Sequence, residues 1–124
     1  MINLATRVAL DERALLSLIE RSLDDDKAVD PVTIDLGGKS SMADAMIVAS
    51  GTSQRHIAAM AEKLMERLKA AGVGGVAAEG VADSDWVLID TGDVIVHLFK
   101  PEAREFYNLE KLWSAPPRDL RAHG

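Results

Sequence analysis

Cysteine is absent from this 124-residue chain, and aromatic residues make up only 4% of it. Without cysteine the protein can form neither disulfide bonds nor thiolate metal sites, and a cytoplasmic location is permitted. No apolar run reaches the roughly 18 residues that a transmembrane helix needs. No charged segment followed by an apolar one marks a secretory signal. We therefore expect neither a membrane span nor secretion.

Positive charge is also scarce, because 14 Lys and Arg residues face 20 Asp and Glu residues, which gives a formal net charge of -6. A protein that binds nucleic acid through its phosphates carries a basic stripe, so this balance argues against such a partner. An acidic surface suits a partner that is itself a basic protein, since complementary fields guide the encounter of two molecules.

Strand-forming residues are concentrated between positions 83 and 100, where two apolar, β-branched runs flank Asp90–Asp93. Such runs on either side of a turn rich in Gly and Asp predict a β-hairpin. Residues of the second run alternate between two faces, with Val94, Val96 and Leu98 on one and Ile95, His97 and Phe99 on the other. Both faces are largely apolar, so we expect this strand inside a sheet that is covered on both sides.

The rest of the chain alternates helices and strands without an internal repeat. Helices are predicted over 12–23, capped by Asp11, over 54–71, capped by Thr52 or Ser53 and ended by Gly72, and over 101–113; further strands are predicted over 31–36, 45–51 and 74–80. This order predicts a single α/β domain, residues 1–124, with a five-stranded mixed sheet flanked by helices. If the second and third strands are parallel, the long helix makes a right-handed crossover between them. We expect residues 1–10 and 115–124 to be mobile.

Residues suited to catalysis or metal binding are few. His56, His97 and His123 lack the spacing of a zinc site, and no nucleophile elbow or dinucleotide-binding glycine motif occurs. We therefore expect no catalytic residue, no metal and no cofactor. His97 lies between apolar neighbours, which indicates a core or interface residue rather than a base. We expect His56, in the first turn of the long helix, to be exposed, and Asp24–Asp26 to form a solvated turn rather than a cation site.

One enzymatic alternative is nucleotidyl transfer, or nucleotide binding without transfer. Gly37, Gly38 and Lys39 precede Asp44 in a strand–loop–strand segment that has the look of the first half of that fold. Two-metal chemistry needs several carboxylates around ions about 4 Å apart, and Met46 stands where a second acid would be needed. One carboxylate cannot hold two Mg²⁺ ions, so Asp44 is expected to be a cap or an interface group.

Five segments carry a family resemblance: GKSSMAD (38–44), ASGTSQRH (49–56), DWVLID (85–90), GDVIVH (92–97) and REFYNLEKLW (104–113). In this order they are similar to the ribosomal silencing factor family, also called Iojap or RsfS, and the likeness runs from about residue 12 to residue 114. The resemblance implies a nucleotidyltransferase-like fold without demonstrated catalysis.

The resemblance also implies a partner. Members of this family bind the fourteenth protein of the large ribosomal subunit, block joining of the small subunit when nutrients are short, and tend to form homodimers. This chain has no transit-peptide character, so the resemblance implies a bacterial cytoplasmic protein, with no membrane partner and no sequence-specific nucleic-acid contact.

The candidate partner-binding residues combine an aromatic corner with nearby charges, since interfaces depend on a few aromatic or Arg anchors. Trp86 is the predicted anchor, Asp85 and Asp93 are its charged companions, and the surrounding residues are Lys100, Arg104, Tyr107 and Glu110. Alternatively, Trp86 is a core residue, and Tyr107 and Trp113 belong to a wide core-facing stripe of the last helix.

Overall fold

The computed structural model describes residues 11–37, 43–80 and 85–114, which form one five-stranded sheet and four helices. The helices are α1 (Glu12–Asp25), α2 (Gln54–Ala70), α3 (Pro101–Tyr107) and α4 (Leu109–Ser114); the strands are β1 (Val29–Asp35), β2 (Ala45–Ser50), β3 (Ala77–Glu79), β4 (Trp86–Asp90) and β5 (Val94–Phe99). The predicted α/β fold with a mixed sheet is confirmed. The segments predicted to be mobile, 1–10 and 115–124, and the loop at Lys39 lie outside the described residues.

The hairpin formed by β4 and β5 lies in the middle of the sheet, whose strand order is β1-β2-β5-β4-β3. β5 pairs in parallel with β2 and antiparallel with β4. One face of β5 packs in a core cluster with α1 and α2, while Ile95 and Phe99, on its other face, pack in a second cluster with Ala103 and Leu109. All six residues of β5 are therefore buried, as expected for a strand covered on both sides.

The third strand is shorter than predicted, because Gly75 and Gly80 adopt positive φ angles of 71° and 81° on either side of it. Those conformations interrupt the extended backbone that pairing requires. β2 and β3 point in the same direction, because β2 is parallel to β5 and the β5–β4 and β4–β3 pairs are both antiparallel. They are not neighbours, however, since β5 and β4 lie between them in the sheet. The connection through α2 therefore crosses two strands.

Side-chain caps set the starts of the two long helices. Asp11 Oδ1 accepts a hydrogen bond from the N–H of Ala14, as predicted, and Ser53 rather than Thr52 caps α2 by accepting from the N–H of His56. α2 ends one residue early, and Gly72 follows in the predicted left-handed region with φ 85°. Within the described residues, no helix combines the length and apolarity that crossing a bilayer requires.

The expectation that His56 is exposed is wrong, and the expectation for Asp24–Asp26 fails at Asp26, because His56 and Asp26 take part in contacts between α1 and α2. Asp24 and Asp25 are exposed, as expected. α1 continues through Asp25, and the carboxylate of Asp26 pairs with Arg67 at 2.8 Å instead of lying in a solvated turn. His56 is half-buried: its Nδ1 accepts from the N–H of Thr52, and its Nε2 donates to the Asp26 carbonyl at 2.8 Å. These contacts join the end of α1 to the face of α2.

The predicted continuous helix over 101–113 is also wrong, because the chain breaks at Asn108. Its φ and ψ of 51° and 47° are left-handed, a conformation that Asn tolerates better than most residues. The N–H of Asn108 donates to the Arg104 carbonyl and ends α3. Phe106 and Leu109 therefore do not share one stripe: Phe106 is exposed, and Leu109 packs against the core.

Candidate protein-binding surface

Aromatic side chains gather where β4 begins and β5 ends. Trp86 and Phe99 are direct partners in the antiparallel pairing, and their rings stack with centroids 5.0 Å apart. The ring of Tyr107, at the end of α3, lies 4.6 Å from that of Trp86, and Phe106 meets Tyr107 edge-on at 5.1 Å. We call these four residues, with His97 beside them, the aromatic cluster.

Exposure rises through the aromatic cluster from the sheet toward α3. Phe99 and His97 are buried, Trp86 is half-buried, and Tyr107 and Phe106 expose 48% and 80% of their surface. Among residues 11–37, 43–80 and 85–111, Val29 is the one other exposed large hydrophobic residue. Two adjacent exposed aromatic residues on a buried aromatic base form an apolar patch of the kind that marks interaction sites.

A cleft of about 570 Å³ adjoins this patch and is lined by Asp85, Trp86, Glu102, Ala103, Phe106 and Tyr107. Four of these lining residues are apolar or aromatic, and Asp85 and Glu102 contribute two carboxylates. Phe106 is missing from the predicted binding residues because a continuous helix would have placed it on a stripe with Leu109. The break at Asn108 is what leaves Phe106 on the solvent side.

The only polar atom of the Trp86 indole is satisfied inside the protein. Its Nε1–H donates a hydrogen bond of 2.9 Å to Nδ1 of His97. Burial lowers the pKa of His97 to about 4, so the ring is neutral at neutral pH and its Nδ1 is free to accept. The prediction that His97 is a satisfied interior residue is confirmed.

Asp85, which lines the cleft, contacts Lys100 and so holds the open end of the hairpin together. The N–H of Lys100 donates to the Asp85 carbonyl at 2.9 Å, and Lys100 Nζ lies 3.8 Å from the Asp85 carboxylate. That carboxylate also accepts from Nε2 of Gln54 at 3.0 Å. The Asp85 side chain remains 59% exposed, so it is accessible to a partner.

Arg104 and Glu110 do not join the aromatic cluster, although both are predicted binding residues. Arg104 Nε and Nη2 donate to the Glu110 carboxylate at 2.8 and 3.1 Å, and this bonding lowers the pKa of Glu110. The remaining donors reach the carbonyls of Val29 and Asp30 and the hydroxyl of Ser50. These two residues fasten α3 and α4 to β1, along a separate cleft of about 540 Å³.

Asp93 lies in the turn at the other end of the hairpin, away from Trp86. Its carbonyl accepts from the N–H groups of Asp44 and Ala45 at 2.8 and 3.2 Å. Desolvation and the carboxylates of Asp44, Asp93 and Asp35 raise the pKa of Glu12, so acidic groups gather here.

Among the described residues, no group of three or more His, Asp or Glu side chains is arranged to hold a metal ion. Met46, which stands where two-metal chemistry would need a second acid, is buried in the second core cluster.

The fold and the cleft beside the aromatic cluster, which we call the aromatic cleft, define a small α/β protein with exposed aromatic residues on one surface. Residues 9–123 match the model of the family described as "Ribosomal silencing factor during starvation", and the chain belongs to this family. The resemblance found in the sequence is thereby confirmed.

Two relatives and one solved structure show how close the similarity is. The chain is 52% identical to the ribosomal silencing factor RsfS of Zymomonas mobilis, covering 86% of this chain and 80% of the relative. It is 44% identical to that of Haemophilus influenzae, covering 82% and 99%. A crystal structure of a protein from Chromobacterium violaceum superposes with a TM-score of 0.81 at 36% identity, covering 86% of this chain and 88% of the other.

Proposed function

We propose that this chain binds the large ribosomal subunit through its fourteenth protein and thereby blocks joining of the small subunit, which represses translation when nutrients are limiting. Relatives that carry the name ribosomal silencing factor support the general role. The observation that carries the proposed binding mode is the exposure of Phe106 and Tyr107 over the half-buried indole of Trp86.

The aromatic cleft has the features of a docking site for a basic protein surface. Interfaces obtain most of their affinity from a few aromatic or Arg anchors that become buried at the centre, while charged groups form the rim. Phe106 and Tyr107 supply the anchors, and Asp85 and Glu102 supply an acidic rim. The net charge of -6 would steer the chain toward a basic partner.

Inhibition by this mechanism requires no chemical step. A bound domain occupies space that the small subunit needs, so the silenced fraction depends on the affinity for the large subunit and on concentration. We place this action in the cytoplasm and propose neither a membrane contact nor sequence-specific nucleic-acid binding.

Purified ribosomal subunits provide the direct test. Phe106→Ser removes an anchor that is 80% exposed, so it should leave stability unchanged and weaken binding to large subunits by about 2 kcal/mol, roughly 30-fold. Val29→Ser is the matched control, because Val29 is also an exposed hydrophobic residue but lines the other cleft. Sucrose-gradient sedimentation reports binding and the yield of joined ribosomes. Normal joining at saturating wild-type protein would refute the proposal.

We also propose that the free protein forms a homodimer through the same aromatic cleft, which would cover Phe106 and Tyr107 in the absence of ribosomes. The dimer and the large subunit would then compete for one surface, so dilution should increase ribosome binding per chain. Sedimentation equilibrium of wild type and Phe106→Ser measures this, and a dimer that is unaffected by the substitution would exclude this surface.

A further inference from the structure

His97 is a buried titratable group for which the proposed function has no direct use. It is 5% exposed, and the described buried polar residues other than His97 are Ser22 and Ser50. Each serine accepts a hydrogen bond from an arginine that joins two elements. His97 differs because its hydrogen bond goes to Trp86, which lines the aromatic cleft.

The geometry around Trp86 shows what this bond adds. Trp86 lies opposite Phe99, and His97 lies opposite Leu88, so the indole reaches diagonally across the hairpin to His97. Phe99 and Tyr107 contact the indole with centroids 5.0 and 4.6 Å away. Ring contacts hold an indole in place but discriminate weakly between its two flipped orientations, whereas its single N–H can reach Nδ1 of His97 in only one of them.

We propose that His97 is a positioning residue for partner binding, which holds the Trp86 indole in the orientation that forms the floor of the cleft beneath Phe106 and Tyr107. This inference rests on the proposed function. Preorganised side chains lose less freedom on binding, so a fixed indole favours affinity without touching the partner. The neutral state of His97 at neutral pH keeps Nδ1 available as the acceptor.

Two substitutions separate the hydrogen bond from the volume of the side chain. His97→Leu fills the site without an acceptor, whereas His97→Asn offers an amide oxygen near the position of Nδ1. Ile95→Ala is the control for destabilisation, because Ile95 is buried on the same face of the same strand. All are made in the full chain with Trp113→Phe, so that the Trp86 indole gives the only indole N–H resonance in a ¹⁵N spectrum.

We expect His97→Leu to shift the indole resonance toward that of an unbonded indole and to weaken binding to large subunits about tenfold, the worth of one neutral hydrogen bond. His97→Asn should restore both, and Ile95→Ala should change stability but neither readout. A shifted resonance with unchanged affinity in His97→Leu would overturn the positioning role while leaving the proposed function intact. Failure of the Trp113→Phe parent and of the wild type to bind large subunits would instead refute the proposed function and the positioning role with it.

Discussion

Arg104 links α3 and α4 to β1, so its replacement should destabilise the protein strongly. Its side chain is 12% exposed and donates to Glu110, to two carbonyls of β1 and to Ser50. Arg104→Met leaves the Glu110 carboxylate, 32% exposed, without this partner and leaves the carbonyl of Asp30 without its 2.7 Å donor. Breaking a buried pair costs about 3–5 kcal/mol, and partial exposure reduces this cost, so we expect Arg104→Met to lower the free energy of unfolding by about 3 kcal/mol.

Urea denaturation of Arg104→Met, followed by circular dichroism, measures this loss as a lower midpoint at unchanged slope. Arg67→Met is the matched control. Arg67 also donates to a carboxylate and to a serine, but its side chain is 36% exposed, so about 1 kcal/mol is expected. Arg104→Lys should recover little, because an ammonium cannot reproduce the forked contacts of the guanidinium. If Arg104→Met loses no more free energy of unfolding than Arg67→Met, the stronger stabilisation attributed to the contacts of Arg104 is refuted.

Three further predictions concern stability. His97 has its pKa lowered to about 4 from about 6.5 in the unfolded chain, so its contribution to stability is complete above pH 6.5 and is lost as pH falls toward 4. In urea titrations, the free energy of unfolding of wild type should fall by about 2 kcal/mol more than that of His97→Asn between pH 7 and pH 5. Equal losses would contradict this. Gly51→Ala would bring a Cβ within 2.6 Å of Ile57 Cγ1 and should cost about 1–3 kcal/mol in thermal melts, whereas Gly74→Ala, which meets nothing within 4 Å, should not. Asn108→Val should cost about 1–2 kcal/mol because of its left-handed φ, and Asn108→Gly should cost less; equal costs would show that the conformation is not the cause.

The central hairpin was predictable because its signals are local. The apolar residues of β5 alternate on two faces, and Gly92, with φ 99°, makes the turn that the Gly- and Asp-containing segment indicates. Burial of His97 followed from its apolar neighbours in the strand. None of these conclusions depends on which strands become neighbours in the sheet.

The placement of Arg104 and Phe106 was not predictable in this way. Arg104 reaches carbonyls 74 and 75 residues earlier in the chain, and β1 must already lie beside β2 for that contact to exist. The helix break at Asn108 brings Glu110 back to Arg104 and leaves Phe106 exposed. Helical periodicity favours a continuous helix there, and long-range contacts override it. The local sequence therefore indicates Trp86 and Tyr107 as candidate binding residues but not Phe106.

The low aromatic content of the chain strengthens the case for a binding surface at this corner. The sequence has five Trp, Tyr and Phe residues in all, and four of them meet in the aromatic cluster. The core cluster beneath α1 and α2 consists of aliphatic residues and Met, so burial alone does not require aromatic side chains in this fold. If the aromatic residues served only packing, Phe106 would not be 80% exposed. Their concentration at one corner, graded from buried Phe99 to exposed Phe106, fits a rigid base that presents anchors to a partner.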